Sequence, residues 1–350
     1  MRIPSPTRPG LQVARRTNRV QTHCTPPRNG VKRMYHDTTT AVLFPGQGSQ
    51  EPGMGRDLAE ASAEAMALWK KAESISGLPL REIYWDGDDA AMADTRNLQP
   101  ALTVVNLALW QHVAGRLRPA CMAGHSLGEY SALAAAGAIA ADAAIELVSL
   151  RGRLMAEADP SGEGGMAAVL KLSLADVEDV VREAREATGA CLIVANYNTP
   201  AQFVVSGAKS AVTDAAARVK ERKGRAVPLA VSGAFHSPLM DEAARELAKA
   251  LARVTWNRPR YAVYCNVTAT AQTDGASLAD IMPRQMTSSV RWIETISSQW
   301  TDGIRSWVEV GPKGVLTKMV KPILSTCGVT DDAYMVAGIA NLEQAQTFFA

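Results

Sequence analysis

The chain is 350 residues long, with 47% hydrophobic and 21% charged residues, a composition typical of a globular protein with a large core. No uninterrupted apolar run reaches the length that crosses a bilayer, which argues against a membrane-spanning protein. The five cysteines include no C-x-x-C pair, which argues against a zinc site or a disulfide framework and suits a reducing compartment.

The net charge of +2 is unevenly distributed, because residues 1–36 hold eight Lys or Arg and no acid. The rest of the chain has 29 basic residues against 35 acidic ones, a balance of −6. An Arg-rich, acid-free segment that contains Ser and Thr is typical of a mitochondrial transit peptide. We therefore predict a disordered leader over residues 1–36 and a location in the mitochondrial matrix. A plain disordered tail is the alternative, whereas a nucleic-acid-binding arm lacks a basic platform downstream.

The predicted fold begins with a short buried strand at Ala41–Phe44, followed by the glycine-rich loop Pro45–Gln50. This loop has neither the Lys-Ser/Thr of a P-loop nor the spacing of a dinucleotide fingerprint. Its glycines instead allow backbone N–H groups to approach a ligand closely. Apolar periodicity then predicts helices over 54–76 and 99–116, the second with Pro100 in its first turn.

A nucleophile-elbow motif occupies Gly124–Tyr130, with the sequence Gly-His-Ser-Leu-Gly-Glu-Tyr. A predicted strand at Pro119–Ala123 precedes it, and a predicted helix at Ser131–Ile139 follows it. Strand, Gly-x-Ser-x-Gly and helix is the order that presents a serine hydroxyl for nucleophilic attack. The sequence therefore predicts that Ser126 is a nucleophile. The alternative is an ordinary tight turn with an incidental serine.

The pattern of predicted strands and helices changes between residues 163 and 231, after a predicted helix over 141–158. Strand and helix patterns follow in the order β-α-β-β-α-β, with Asn196–Pro200 joining two of the strands. This is the split βαβ arrangement of a ferredoxin-like subdomain. Alternating strands and helices on either side predict a mostly parallel α/β sheet. We therefore predict an α/β core made of residues 37–162 and 232–350, with an inserted small subdomain at 163–231.

A serine nucleophile needs a base within hydrogen-bond reach, and the chain has five histidines. Two of them lie in the leader, and His112 lies in an apolar helix. The side chain of His125 leaves the elbow in a different direction from that of Ser126. His236 remains, in the loop Ser232–Pro238 before a predicted helix. The sequence thus favours Ser126 and His236 as a catalytic pair, with a loop histidine that caps a helix as the alternative.

Five motifs, in this order along the chain, carry a family resemblance: Pro45–Gln50, Gly124–Tyr130, Arg151 within Leu-Arg-Gly-Arg-Leu-Met, Asn196–Pro200 and Gly233–His236. Together they resemble the malonyl-CoA:acyl carrier protein transacylases, and the resemblance covers nearly all of the folded chain. The family implies an α/β-hydrolase-like core with a ferredoxin-like insertion. With the predicted leader, the chain resembles a mitochondrial-type member that serves type II fatty acid synthesis.

The resemblance implies a role for each matching residue. Ser126 would attack the malonyl-CoA thioester with His236 as base, and the backbone N–H groups of Gln47 and Leu127 would form the oxyanion hole. Arg151 would hold the malonyl carboxylate through a bidentate pair that Lys cannot reproduce. The malonyl group would then pass to the phosphopantetheine thiol of acyl carrier protein, without a metal or another cofactor.

Three further residues are assigned to substrate binding on the same resemblance. Asn196 and Phe235 belong to matching motifs, and Phe235 suits a small malonyl pocket. Arg291 departs from the family's bacterial members, which have Gln in the segment matching Ser289–Trp292. In the family a backbone carbonyl from this segment orients the histidine, and we expect Arg291 to contact the malonyl carboxylate or the CoA phosphates. The expected partners are malonyl-CoA and acyl carrier protein, with no nucleic acid and no membrane span, and the expected state is a monomer.

Two other functions are compatible with these residues. A serine hydrolase, such as a thioesterase or a lipase, would use the same Ser126 and His236, although Arg151 and the lack of an assignable triad acid count against it. A non-catalytic scaffold or carrier-binding subunit would keep the fold without the chemistry. The products formed from malonyl-CoA distinguish the three.

Overall fold

The computed structural model describes residues 39–349, so the predicted leader at 1–36 and its targeting function lie outside the described residues. The described chain folds around a six-stranded and a four-stranded sheet. In chain order the strands are β1 (Thr40–Phe44), β2 (Cys121–Gly124), β3 (Gly164–Leu170), β4 (Leu192–Thr199), β5 (Gln202–Ala208), β6 (Arg225–Pro228), β7 (Ala262–Tyr264), β8 (Ala271–Gln272), β9 (Ser306–Val310) and β10 (Met335–Ile339).

The six-stranded sheet has the order β10-β9-β1-β2-β7-β8. Every neighbouring pair is parallel except β7 with β8. β1 lies inside the sheet and is buried along its whole length, which is why its sequence is almost continuously apolar. The predicted mostly parallel α/β fold is confirmed.

The loops that follow β1 and β2 leave the sheet side by side. Phe44 at the end of β1 pairs with Gly124 at the end of β2, so both strands stop at the same level. Ligands of open parallel sheets bind at this carboxyl edge. The sheet therefore brings the glycine-rich loop and the elbow together at the edge where a ligand site is expected.

The described residues also form α-helices on which the site is built. In chain order these are α1 (Arg56–Ala61), α2 (Ala63–Ser76), α3 (Leu80–Asp86), α4 (Asp89–Ala93), α5 (Thr95–Val113), α6 (Gly128–Ala135), α7 (Ala141–Glu157), α8 (Leu174–Thr188), α9 (Lys209–Glu221), α10 (Asp241–Leu251), α11 (Gly275–Ile281), α12 (Trp292–Thr301), α13 (Thr317–Thr326) and α14 (Leu342–Phe348).

Two predicted helices have different bounds in the structure. The helix predicted over 54–76 is two helices, α1 and α2, because Ser62 between them has an extended backbone and caps α2 with its side chain. The helix predicted over 99–116 is α5, which begins at Thr95 because Asp94 caps it. Pro100 therefore lies inside this helix and not in its first turn.

The four-stranded sheet is antiparallel, with the order β4-β5-β3-β6. Helices α8 and α9 share one apolar cluster with it, so the elements follow the predicted β-α-β-β-α-β order. They span Gly164–Pro228, within the predicted range 163–231, whose boundaries as a domain remain a prediction. The predicted connector Asn196–Pro200 is wrong, because residues up to Thr199 belong to β4 and pair with β5.

The edge strand β4 of the small sheet is joined to a segment of the core. The Tyr197 N–H donates to the carbonyl of Val290, and the Val290 N–H donates to the carbonyl of Ala195. The Ser289 hydroxyl donates to the carbonyl of Val194 at 2.7 Å. The segment before α12 is thus fixed to the small sheet, which matters because it also contacts the site described next.

Candidate active site

The elbow is a strained turn between β2 and α6. Ser126 has a φ of +51°, a left-handed conformation that non-glycine residues rarely adopt. A Cβ on Gly124 would lie 2.0 Å from the backbone of Gly128, and a Cβ on Gly128 would lie 2.0 Å from the carbonyl oxygen of Phe44. The turn therefore needs glycine at both positions so that strand, loop and helix can pack this closely.

Asn266, which follows β7, holds the elbow from the neighbouring strand. Its Oδ1 accepts the N–H of Ser126 at 2.7 Å, and its Nδ2 donates to the carbonyl of Gly124, also at 2.7 Å. Asn266 is 1% exposed, so water does not compete for these bonds. The sequence did not predict this residue, because only the pairing of β2 with β7 brings it to the elbow.

Ser126 and His236 lie in hydrogen-bond contact, with 2.7 Å between Oγ and Nε2, although 110 residues separate them in sequence. The His236 Nδ1 faces the carbonyl oxygens of Gln285 at 3.2 Å and Ser288 at 3.0 Å. A carbonyl oxygen only accepts, so Nδ1 carries the proton and Nε2 is free to accept the serine proton. The carbonyls come from just before Ser289–Trp292, and not from that segment as expected.

His236 is held as a neutral imidazole. Its side chain is buried, and its backbone has a φ of +56°. Burial, with the positive charge of Arg151 nearby, lowers the pKa of His236 to about 3. The imidazole is therefore unprotonated at neutral pH, which is the state that a general base requires.

Arg151 on α7 reaches Ser126 from inside the protein and is only 1% exposed. Its Nη2 donates to the Ser126 Oγ at 3.1 Å and to the Gln285 Oε1 at 3.3 Å. Its Nη1 donates to the Gln99 Oε1 at 2.9 Å, and its guanidinium lies 5.6 Å from the centre of the Tyr130 ring. The Nε of this guanidinium has no hydrogen-bond partner among the described residues. Arg151 therefore places a buried positive charge beside the Ser126 Oγ.

A cavity of about 290 Å³ has Ser126 and His236 in its wall. Gln47, Asn196 and Phe235, three of the residues assigned from the sequence, also line it. The Oδ1 of Asn196 is buried and has no hydrogen-bond partner among the described residues. The remaining wall comes from the glycine-rich loop, the elbow, α7, the small sheet with the segment that follows it, and the start of α13: Gly46, Gly48, His125, Met155, Met166, Ala168, Asn198, Gln202, Val204, Leu229, Val231, Val315, Leu316 and Met319.

The glycine-rich loop lies directly against the elbow. A Cβ on Gly46 would be 2.3 Å from the carbonyl oxygen of His125 and 3.5 Å from the nitrogen of Leu127. Leu127 immediately precedes α6, so its N–H has no acceptor within that helix. The structure thus places the backbone of Gln47 and that of Leu127 on adjoining segments beside Ser126.

Arg291 does not line this cavity, so the structure does not bring it to the place expected for the malonyl carboxylate, and a contact with the CoA phosphates stays a prediction. Its guanidinium pairs with Glu294, three residues further along the chain, and its Nη1 lies 3.3 Å from the carbonyl of Val267. Arg291 is absent from the cavity wall. The nearby carboxylate and carbonyl satisfy the guanidinium and hold it away from Arg151.

Gln285 and Glu129 are site residues that the sequence analysis missed. The Gln285 Nε2 donates to the carbonyl of Ser126 at 2.8 Å and to the Glu129 Oε2 at 3.1 Å. Burial raises the pKa of Glu129 to about 7, although the Asn266 N–H also donates to this carboxyl. Glu129 lies within the elbow motif, whereas Gln285, in the stretch Met282-Pro-Arg-Gln-Met286, belongs to no motif that could have predicted its role.

Within residues 39–349, no three His, Cys, Asp or Glu side chains converge on a point that would hold a metal ion. In the same range, no helix combines the length and the apolar character needed to cross a bilayer.

Comparison with known proteins places the chain in a family. The family model described as acyl transferase domain matches residues 42–348. The malonyl CoA-acyl carrier protein transacylase of Haemophilus influenzae is 40% identical over 288 residues, which cover 81% of this chain and 92% of that protein. The chain belongs to this transacylase family. Another member, from Bacillus subtilis, is 37% identical over 309 residues, or 87% of this chain and 97% of that protein.

Solved structures of transacylases have the same fold. The acyl carrier protein S-malonyltransferase of Vibrio cholerae has a TM-score of 0.81 at 37% identity, covering 89% of this chain and 99% of that chain. A malonyl-transacylase in complex with a type II PKS acyl-carrier protein has a TM-score of 0.81 at 34% identity, covering 88% of this chain and 98% of that chain. The family resemblance drawn from five sequence motifs is confirmed.

Proposed function

We propose that the chain transfers the malonyl group of malonyl-CoA to the phosphopantetheine thiol of acyl carrier protein, in support of fatty acid synthesis. Family membership supports this reaction, and one observation carries it for this chain. A buried guanidinium, that of Arg151, donates to the hydroxyl of the nucleophile Ser126 at 3.1 Å. A hydrolase of neutral esters has no use for a cation at this position, whereas a carboxylated acyl group does.

The first half-reaction forms a malonyl ester of Ser126. The Ser126 Oγ attacks the thioester carbonyl while the Nε2 of His236 takes its proton. The N–H groups of Gln47 and Leu127 stabilise the negative oxygen of the tetrahedral intermediate. The C–S bond then breaks, the protonated His236 gives its proton to the departing sulfur, and CoA leaves as the thiol.

The second half-reaction reverses these roles. The phosphopantetheine thiol of the carrier gives its proton to the Nε2 of His236 and attacks the ester carbonyl. The C–O bond to Ser126 breaks, and the proton returns to Oγ. The two backbone carbonyls at Nδ1 keep His236 in the required tautomer throughout, so no triad acid is needed.

Arg151 selects the acyl group in both half-reactions. A planar guanidinium pairs with a carboxylate through two parallel N–H···O bonds. A charge-assisted hydrogen bond of about 1.5–3 kcal/mol corresponds to about 10- to 150-fold in preference for malonyl over acetyl. The malonyl carboxylate also gives the Arg151 guanidinium the anionic partner that it lacks among the described residues, whereas acetyl has no charge to offer.

The transfer is tested against the serine hydrolase with malonyl-CoA and purified chain, in the presence and absence of holo acyl carrier protein. We expect malonyl-carrier to form, and a malonyl-protein adduct to accumulate when the carrier is left out. Free malonate as the main product would establish a hydrolase instead. Neither adduct nor product would indicate a non-catalytic scaffold.

The proposed carrier partner has support from one structural neighbour, which was solved in complex with an acyl-carrier protein. That complex concerns a protein 34% identical to this chain. The similarity of sequence and fold makes acyl carrier protein the partner that we propose here as well.

We also propose that this chain is a mitochondrial-type member that acts in the matrix. Haemophilus influenzae and Bacillus subtilis are bacteria, so the support is the Arg-rich, acid-free segment at 1–36 alone. This segment precedes the family match, which starts at residue 42. Malonyl transfer in the matrix would supply a type II fatty acid synthesis pathway there.

The location is tested by fusing residues 1–36 to a fluorescent reporter. We expect the fusion to enter mitochondria, because a positively charged segment without acids suits import. A matched fusion with Arg8, Arg15, Arg16 and Arg19 changed to Gln should stay in the cytosol. A cytosolic signal from the unchanged fusion would reject the proposal.

A further inference from the structure

Two neutral side chains hold the guanidinium of Arg151. The Gln99 Oε1 accepts from Nη1 at 2.9 Å, and the Gln285 Oε1 accepts from Nη2 at 3.3 Å. Gln99 is fully buried and Gln285 is 1% exposed, so both amides are fixed inside the protein. No carboxylate of residues 39–349 forms an ion pair with Arg151. A buried cation whose hydrogen-bond partners, two amides and the Ser126 hydroxyl, are all neutral is unusual, since buried charges are normally paired.

A buried acid, Glu129, is separated from this cation by the amide of Gln285. Gln285 lies between them, because its Oε1 accepts from Arg151 while its Nε2 donates to the Glu129 Oε2 at 3.1 Å. Burial lowers the pKa of Arg151, and the negative charge of Glu129 opposes this shift through space. Glu129 forms no contact with the guanidinium, so the N–H groups of Arg151 remain available to an acyl carboxylate.

We propose that Gln99 and Gln285 determine the specificity of the site by keeping Arg151 charged, positioned and free of any internal carboxylate. The inference rests on the proposed malonyl transfer and deepens it. The malonyl carboxylate is then the first anion to pair with the guanidinium. No internal ion pair has to be broken, so the full free energy of the new pair contributes to malonyl binding. Both glutamines act through Arg151 and are positioning residues.

The specificity depends on Gln99 having an amide and not a carboxylate beside Arg151. A glutamate has nearly the same shape as a glutamine, so Gln99→Glu would keep an oxygen at the position that now accepts from Nη1. Beside the guanidinium this new carboxyl would be ionised, because a nearby opposite charge favours the charged form. Arg151 would then form an internal ion pair with the new carboxylate. A malonyl carboxylate would meet a pair with no net charge and would be repelled by the negative member of that pair.

The test compares kcat/KM for malonyl-CoA with kcat/KM for acetyl-CoA in each variant, using the full chain and holo carrier protein. Because both rates come from one preparation, unfolded protein cancels out of the ratio. We expect Gln99→Glu to lower this ratio by about tenfold or more, the loss of one charge-assisted bond. Gln99→Met has a similar volume and no charge, and it should retain most of the malonyl preference.

A matched control buries a glutamate elsewhere. Gln299 on α12 is also fully buried, and its Oε1 accepts from the Trp307 indole at 2.7 Å. Gln299→Glu should lower the melting temperature without changing the malonyl-to-acetyl ratio. An unchanged ratio in Gln99→Glu would overturn the proposal. So would an equal loss in Gln99→Met, which would mean that the hydrogen bond matters and the absence of charge does not.

A binding measurement separates this inference from the proposed function. Calorimetry with Ser126→Ala, which cannot form the ester, measures the affinity for malonyl-CoA and for acetyl-CoA directly. If that protein does not prefer malonyl-CoA, malonyl selection by Arg151 fails. If it does, and Ser126→Ala with Gln99→Glu keeps the same preference, only the inference about the glutamines fails.

Discussion

Replacing Ser126 with alanine is expected to lower the rate of malonyl transfer by about 10⁴-fold or more, because the acyl-enzyme can no longer form. Mass spectrometry of the protein after incubation with malonyl-CoA should show a malonyl adduct on the unchanged chain and none on Ser126→Ala. Ser149→Ala is the matched control, because among residues 39–349 the hydroxyl of this serine on α7 bonds to the carbonyl of Ile145 alone, and the variant should keep full activity. An adduct of undiminished intensity on Ser126→Ala would place the nucleophile elsewhere.

His236→Ala should cause a loss of similar size, and the double variant with Ser126→Ala should be no worse than either single one. Groups that act as one unit in a reaction lose their whole contribution when either is removed. The 2.7 Å contact between Oγ and Nε2 makes such a unit here. Losses that add in the double variant would mean that the two residues act in separate steps.

Arg151→Ala is expected to lower the malonyl-to-acetyl ratio of kcat/KM by about 10- to 150-fold, mainly through slower reaction with malonyl-CoA. Acetyl transfer should fall less or rise, because the acetyl group no longer meets an unpaired guanidinium. Arg151→Lys should restore only part of the preference, since an ammonium lacks the fork that pairs with a carboxylate. A ratio that does not change in Arg151→Ala would show that malonyl is selected by another group.

The same variant should change the pH dependence of the reaction. Burial and, after it, the charge of Arg151 lower the pKa of His236 to about 3, so removing that charge should raise this pKa. The base is active when neutral, and the rate is lost as pH falls through its pKa. With acetyl-CoA, which carries no acyl carboxylate, the acid limb of kcat/KM should therefore lie at higher pH in Arg151→Ala than in the unchanged chain. Circular dichroism at each pH controls for acid unfolding, and a limb at the same or lower pH would contradict the expected coupling.

Local patterns predicted the elements whose structure depends on near neighbours. The strand β1 is an apolar run because it is buried along its whole length, and that requirement is visible in any such run. The elbow was predictable because Gly124 and Gly128 must both lack a Cβ for the strand and helix to pack. The β-α-β-β-α-β order followed from the same changes of period along the chain.

Local patterns failed where two signals competed. Ser62 is a good N-cap, but the apolar residues on both sides of it predicted one continuous helix. The turn-like composition of Asn196–Pro200 concealed a strand, because pairing with β5 and with Val290 stabilises an extended backbone there. The ion pair of Arg291 with Glu294, three residues further along the chain, was not predicted, although the sequence placed both residues within one helical turn.

The sequence by itself determined which chemical groups the site has: a strained serine, a histidine in a loop and an arginine in a helix. Only the tertiary structure decided what holds them, namely Asn266 at the elbow, the carbonyls of Gln285 and Ser288 at the histidine, and Gln99 beside the arginine. The reason is physical, since a motif records the constraints of a short stretch of backbone. A hydrogen bond between residues far apart in sequence, such as Arg151 with Gln285, depends on how sheets and helices pack and leaves no local pattern.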